Sequence, residues 1–141
     1  MRSLSQTLHP VILDEAGLEN TLDWYLPTVE RQTGLAIHYE KSGTPVAING
    51  DVAIHVYRVL QEALNNVKRH SRAEEAWVRL HVMHDAVELE VEDHGTGLPT
   101  GNHKRSIGLT AMRERAELLG GKLDWLRPAE GGTLVRLHVP R

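Results

Sequence analysis

Glu62, Asn66 and His70 follow one another at four-residue intervals in the stretch YRVLQEALNNVKRHSR, Tyr57 to Arg72, and Arg69 stands beside the last of them. On a helix that spacing stacks the three on one side. A carboxylate, an amide oxygen, a guanidinium and an imidazole in one row can meet a metal ion and a string of phosphates. The same row serves as a solvated helix face, and the stretch alone does not choose between the two. A further carboxylate comes from Asp93. It closes a run in which Val87, Leu89 and Val91 alternate with Glu88, Glu90 and Glu92, and it has the parity of the apolar set, so it is aimed at the core. An inward carboxylate at a strand end needs a donor, either a backbone cap or an amine on a ligand. Thr133 likewise shares the inward parity of Val135, Leu137 and Val139. Between them lies DHGTGLPTGNHKR, Asp93 to Arg105, whose glycines and Pro99 predict a loop; it ends on Lys104 and Arg105, next to Ser106, a residue suited to an N-cap. Free N–H groups, the helix dipole and two cations favour an anion there.

These residues need elements to hold them. Val56, Leu60, Leu64 and Val67 give the central stretch one buried helical face, with Asp51 as the expected N-cap. Upstream, Leu18, Leu22, Leu26 and Val29 predict a helix within Val11 to Gln32, with a kink or break at Pro27, and Pro10 is expected to interrupt any helix through Met1 to His9. Leu35 to Glu40 alternates as a strand, and Lys41 to Gly50 reads as a loop. Ala76–Met83 and Val87–Glu92 predict a hairpin turning at His84-Asp85. Ile107–Leu119 predicts a helix stopped by Gly120-Gly121, and Lys122–Leu126 with Thr133–Val139 a second hairpin. Helices with a mostly antiparallel sheet imply an α+β fold, a two-layer α/β sandwich. No strand–GxGxxG–helix unit and no GxxxxGK[ST] is present.

The chain has 141 residues, enough for one domain with a real core, and a net charge of -3 with both signs interspersed, which argues against a nucleic-acid arm. It has no cysteine, which excludes disulfides and thiol chemistry, and no apolar run approaching the ~20 residues of a membrane span. With no Phe, the core is expected to be aliphatic, with Trp24, Trp77 and Trp125 as its large members. His9, His38, His55, His103 and His138 are expected at the surface or half-buried, and His94 facing solvent. His81 and His84 point to opposite faces of a strand and make no metal pair.

Together these segments resemble the ATP-binding domain of sensor histidine kinases, of the superfamily that includes DNA gyrase and the MutL mismatch-repair proteins. QEALNNVKRH, from Gln61 to His70, is similar to that family's N box. DHGTG, from Asp93 to Gly97, is similar to its first glycine box. SIGLTAMRERAELLGGKL, from Ser106 to Leu123, resembles the second, and GGT, from Gly131 to Thr133, the closing element. Their order and spacing also agree, over Leu8 to Pro140, and the segment Leu8 to Leu26 resembles the subfamily paired with helix-turn-helix response regulators. The resemblance implies a Bergerat-type ATP-binding fold, with a mixed, mostly antiparallel sheet packed against three helices. It further implies that Asn66 binds Mg²⁺ on the phosphates of ATP, that Arg69 and His70 reach phosphate or ribose, and that Asp93 accepts the adenine amine. Gly95 and Gly97 would admit the base, Ile107, Gly108 and Leu109 would offer N–H groups to the phosphates, with Lys104 and Arg105 nearby, and Thr133 would help hold the adenine. Glu62 takes the place of the water-activating glutamate of the ATPase branch. One departure is Ser106-Ile107-Gly108 where many members have GxG.

The function expected is transfer of the γ-phosphoryl group of ATP to a His on a separate helical dimerisation domain. Residues 1–9 would be the tail of that upstream domain or a linker, and 10–141 the catalytic domain. None of the nine histidines here sits in a predicted helix before an acid, so the acceptor is expected elsewhere and a response regulator downstream of it. The isolated chain is expected to be monomeric and cytoplasmic, and the full-length protein a homodimer with room for a membrane anchor upstream. A serine kinase of the same fold and a non-catalytic ATP-binding regulator are the alternatives.

Overall fold

A computed structural model describes residues 4–43, 48, 50–68, 74–95, 103–126 and 131–140, with side chains from residue 17 in the first helix and from residue 110 in the last. The element order is α1 (Leu4–Thr33), β1 (Ala36–Gly43), α2 (Gly50–Asn66), β2 (Glu75–Val82), β3 (Ala86–Asp93), α3 (His103–Leu118), β4 (Lys122–Leu126) and β5 (Thr133–Pro140). The five strands form one sheet in the order β1-β2-β3-β5-β4. β1 runs parallel to β2, and every other pairing is antiparallel. The helices pack together, and each also lies against the sheet. This is the α+β two-layer sandwich expected.

Alternation decides which side of each strand is buried. Val78, Leu80, Leu89, Val91, Val135 and Leu137 turn to the helix layer and are at most 5% exposed. α2 supplies the facing layer with Val52, Val56, Val59, Leu60 and Leu64, and α1 adds Leu18, Leu22 and Leu26. The large aromatic members of the core are Tyr25 and Tyr57, which meet edge to face with centroids 5.1 Å apart. The tryptophans are not: Trp24 is exposed, while Trp77 and Trp125 are half-buried. Trp125 packs at the margin of the core, under the Arg113 guanidinium 4.7 Å from its ring centre, and Trp77 lies on the opposite face of the sheet, across from Glu92.

Several boundaries differ from the sequence-based expectation. α1 continues through Pro10 and Pro27 and breaks instead at Gly17, whose φ of 83° and ψ of 168° only glycine adopts readily. A proline removes one N–H from the ladder and can be carried where its ring faces solvent, as at Pro27. α3 starts at His103, so Lys104 and Arg105 are helical and Ser106 lies inside the helix and is not its cap; both cationic residues are good helix formers. Asp51 falls in the first turn of α2 and does not cap it. At its far end α3 closes as expected, with Gly121 N–H donating to the Ala116 carbonyl at 2.7 Å and Gly120 at φ 81°.

Candidate functional site

The sheet's last complete rung on the helix side differs in kind from the others. Where neighbouring rungs carry Val78–Val91–Val135 and Leu80–Leu89–Leu137, this one carries Ala76, Asp93 and Thr133 side by side. Asp93 is only 2% exposed, so β3 delivers a carboxylate into the interior as its parity requires. Its Oδ1 accepts the N–H of Gly95 at 2.8 Å, a tight turn in which the side chain holds the backbone two residues on. The backbone cap foreseen as one partner is therefore present. On either side, Ala76 carries a shorter side chain and Thr133 a more polar one than the valines and leucines of the neighbouring rungs.

The close approach of the β4–β5 hairpin completes this corner. Gly132 has φ 89°, and a Cβ there would stand 2.0 Å from the Asp93 carbonyl oxygen and 2.8 Å from the His94 Cα. Only glycine fits. The GG pair before β5 is visible in the sequence as a turn, but its contact with the backbone of Asp93 is not.

α2 brings the second set. Asn66 closes the helix, followed by a π-helical turn at Val67 and Lys68, an irregularity frequent at functional sites. Asn66 is 9% exposed, and its amide nitrogen is buried with no hydrogen-bond partner among the described residues. A buried unpartnered amide is costly, and this one lies at the end of the helix packed across β3 and β5. Glu62, one turn earlier, is half-buried. Arg69, His70 and Gly97 lie outside the described residues. Lys104, Arg105, Ile107, Gly108 and Leu109 are placed in the first half of α3, their side chains lying outside the description.

The donor set fits a nucleotide and Mg²⁺. A buried carboxylate beside glycines can accept from an amine, and the Asn66 amide, whose nitrogen has no partner among the described residues, can turn its oxygen to a cation. Among the described residues no three His, Asp or Glu side chains gather as a metal site; Mg²⁺ at nucleotide sites takes one or two protein ligands and leans on substrate phosphates.

Residues 51–141 match the family model described as histidine kinase-, DNA gyrase B-, and HSP90-like ATPase. The chain belongs to that family. As an ATP-binding domain of this ATPase family, it is similar to the oxygen sensor histidine kinase NreB of Staphylococcus carnosus, 32% identical over 99% of this chain and 41% of the relative. It is also similar to the sensor histidine kinase LiaS of Bacillus subtilis, 35% identical over 99% of this chain and 39% of the relative. The chain thus spans about two fifths of the length of these relatives. In fold it is similar to the histidine kinase domain of the blue-light activated kinase of Erythrobacter litoralis EL346, with a TM-score of 0.66, 24% identity, and coverage of 87% of this chain and 60% of that one.

One residue expected at the surface or half-buried is fully inside this ATPase domain. His55, on α2, is 1% exposed, and neither ring nitrogen has a hydrogen-bond partner among the described residues. Burial, helped by the nearby Arg115 charge, pulls its pKa down to about 4. Its signal was present, since His55 lies next to Val56 and one turn before Val59 on the apolar side of α2.

Proposed function

We propose that the chain is the catalytic part of a two-component sensor histidine kinase, binding Mg·ATP and presenting its γ-phosphoryl group to a His on a separate helical dimerisation domain. What carries this is the buried Asp93 in a rung flanked by Ala76 and Thr133, with Gly132 pressed against its backbone. Asp93 accepts the adenine amine, with Thr133 and Gly95 beside it and Gly97 admitting the base. Asn66 turns its amide oxygen to Mg²⁺, and Arg69, His70, Lys104 and Arg105 reach phosphate or ribose. Ile107, Gly108 and Leu109, in the first half of α3, lie towards the phosphates, and Glu62, one turn before Asn66, orients an attacking group. Phosphoryl transfer asks a protein chiefly for positioning and charge neutralisation, which this set supplies.

The acceptor His belongs to the partner domain, in the portion of such proteins that this chain does not span; residues 1–9 lead from that domain and 10–141 form the catalytic one. The whole protein is a cytoplasmic-facing homodimer that passes the phosphoryl group to a response regulator, and the isolated domain is a monomer. Among the described residues no helix is long and apolar enough to cross a membrane.

Calorimetry on Asp93→Asn tests the reading. Loss of the charge-assisted hydrogen bond should cost about 1.5–3 kcal/mol of ATP affinity in a protein that still melts cooperatively. Unchanged affinity would remove the adenine assignment. With labelled ATP and the acceptor domain added, an acid-labile phosphoryl product marks a histidine kinase, and an acid-stable one a serine kinase.

A further inference from the structure

We propose that His94 is a positioning residue for the nucleotide-binding carboxylate, acting through its stack on Trp77 on the far side of the sheet; this rests on the reading of Asp93 as the adenine contact. Asp93 is the last residue of β3. Past it the backbone leaves the ladder, yet the orientation of the carboxylate depends on where Gly95 puts the N–H that Oδ1 accepts at 2.8 Å. The peptide units between the two must therefore be held by something other than strand pairing.

Two contacts do this. On one side the Gly132 backbone lies so close that a Cβ would meet the His94 Cα at 2.8 Å. On the other, the His94 ring stacks on Trp77, with centroids 4.5 Å apart and planes at 29°. Trp77 pairs directly with Glu92 across β2 and β3, so His94 is its diagonal neighbour on the same face, within aromatic reach. The imidazole is fixed in rotation as well, its Nε2 lying 3.3 Å from a Glu92 carboxylate oxygen. The indole is anchored in turn by His38, stacked on it at 5.1 Å and itself 2.8 Å from Glu75. Asp93 and His94 point to opposite faces, so the ring does not reach the ligand pocket and acts only through the backbone it pins.

The test uses the whole chain and calorimetric titration with Mg·ATP and Mg·ADP. His94→Ala should weaken both nucleotides by the same factor, about three- to tenfold, the range of one aromatic stack, because the adenine end is common to both. His94→Phe keeps the stack and should restore affinity to within about twofold. The melting temperature should stay near that of the unaltered protein, since the His94 side chain is 51% exposed. Wild-type affinity in His94→Ala, or a His94→Phe protein as weak as His94→Ala, would overturn the proposal. Asp93→Asn is titrated alongside: unchanged affinity there would overturn the adenine reading and the proposal with it, whereas a loss in Asp93→Asn with none in His94→Ala removes the proposal alone.

Discussion

On its helix side the sheet carries Tyr39, Val78, Val91, Val135 and Trp125 in one cross-strand row; one residue along, the other side carries Glu40, Arg79, Glu90, Arg136 and Asp124. The second row alternates in sign from edge to edge. Arg79 donates to Glu90 and Glu92 at 2.8 and 2.6 Å, and Arg136 donates to Glu90 at 2.8 Å. A neighbouring row sets His138 2.8 Å from Glu88. On the open face nearly every polar group is matched by one across the strand. On the helix side the core is matched by shape, and buried polar groups such as Asp93, Asn66 and His55 are exceptions. The comparison teaches where to look for chemistry. A charge that its neighbours have already answered holds the fold, whereas the Asn66 amide nitrogen and the His55 ring, buried with no partner among the described residues, mark where a ligand or a shifted titration is to be sought.

The largest effect should come from the helix side. Leu89→Ala, at a residue 1% exposed, should lower unfolding free energy by about 2–5 kcal/mol in urea titration. A loss as small as that of the charge-row variants below would break the comparison.

Next is His55, which sharpens it through pH. Its folded pKa of about 4 lies below the ordinary 6.5, so between those values the unfolded chain takes up a proton that the folded one refuses. Stability therefore falls as pH drops from 6.5 towards 4, on the order of 3 kcal/mol in all. His55→Leu should flatten the stability curve across that window. The open face responds at lower pH. Burial alone would raise the Glu90 carboxyl, but hydrogen bonds from Arg79 and Arg136 outweigh it and hold the pKa below 4.5. Glu92 is lowered chiefly by its hydrogen bond from Arg79, against a smaller opposing effect of burial. Their contribution is present above 4.5 and is lost as pH falls through the depressed values, after the His55 effect is largely spent.

The smallest effect is expected from Arg136→Ala. Its side chain is 46% exposed, so the pair with Glu90 should be worth about 0–1 kcal/mol and fade with added salt. Thermal melts at low and high salt check both the size and the screening.

Much of this was legible in the sequence because strand parity is a two-state choice. Asp93 and Thr133 follow from counting along β3 and β5, and the hairpins from their turns. What escaped depends on neighbours far along the chain. Nothing in DHG announces that Trp77 lies diagonally across from His94, or that Gly132 presses on the same backbone. The break in α1 was assigned to Pro27 because proline costs are local, whereas Gly17 shows its conformation only in place. The tryptophans were placed in the core by size, though Tyr25 and Tyr57 fill it. The proposed phosphate side, Arg69, His70, Lys104 and Arg105, falls beyond the described side chains.

The rung of Asp93 and Thr133 also has a consequence for how the molecule assembles. β2 with β3, and β4 with β5, are local hairpins that a short chain can close quickly. The Asp93–Thr133 pairing belongs to neither, for it lies on the seam that joins one hairpin to the other across α3. Such distant pairings carry the greatest loop-closure cost and tend to form late. Neither hairpin alone contains this pairing, and a molecule whose seam has not formed lacks it. On the proposed adenine assignment, ATP bound there would span the seam and hold the two halves together, and its occupancy would report the completed topology and not merely the presence of the motifs.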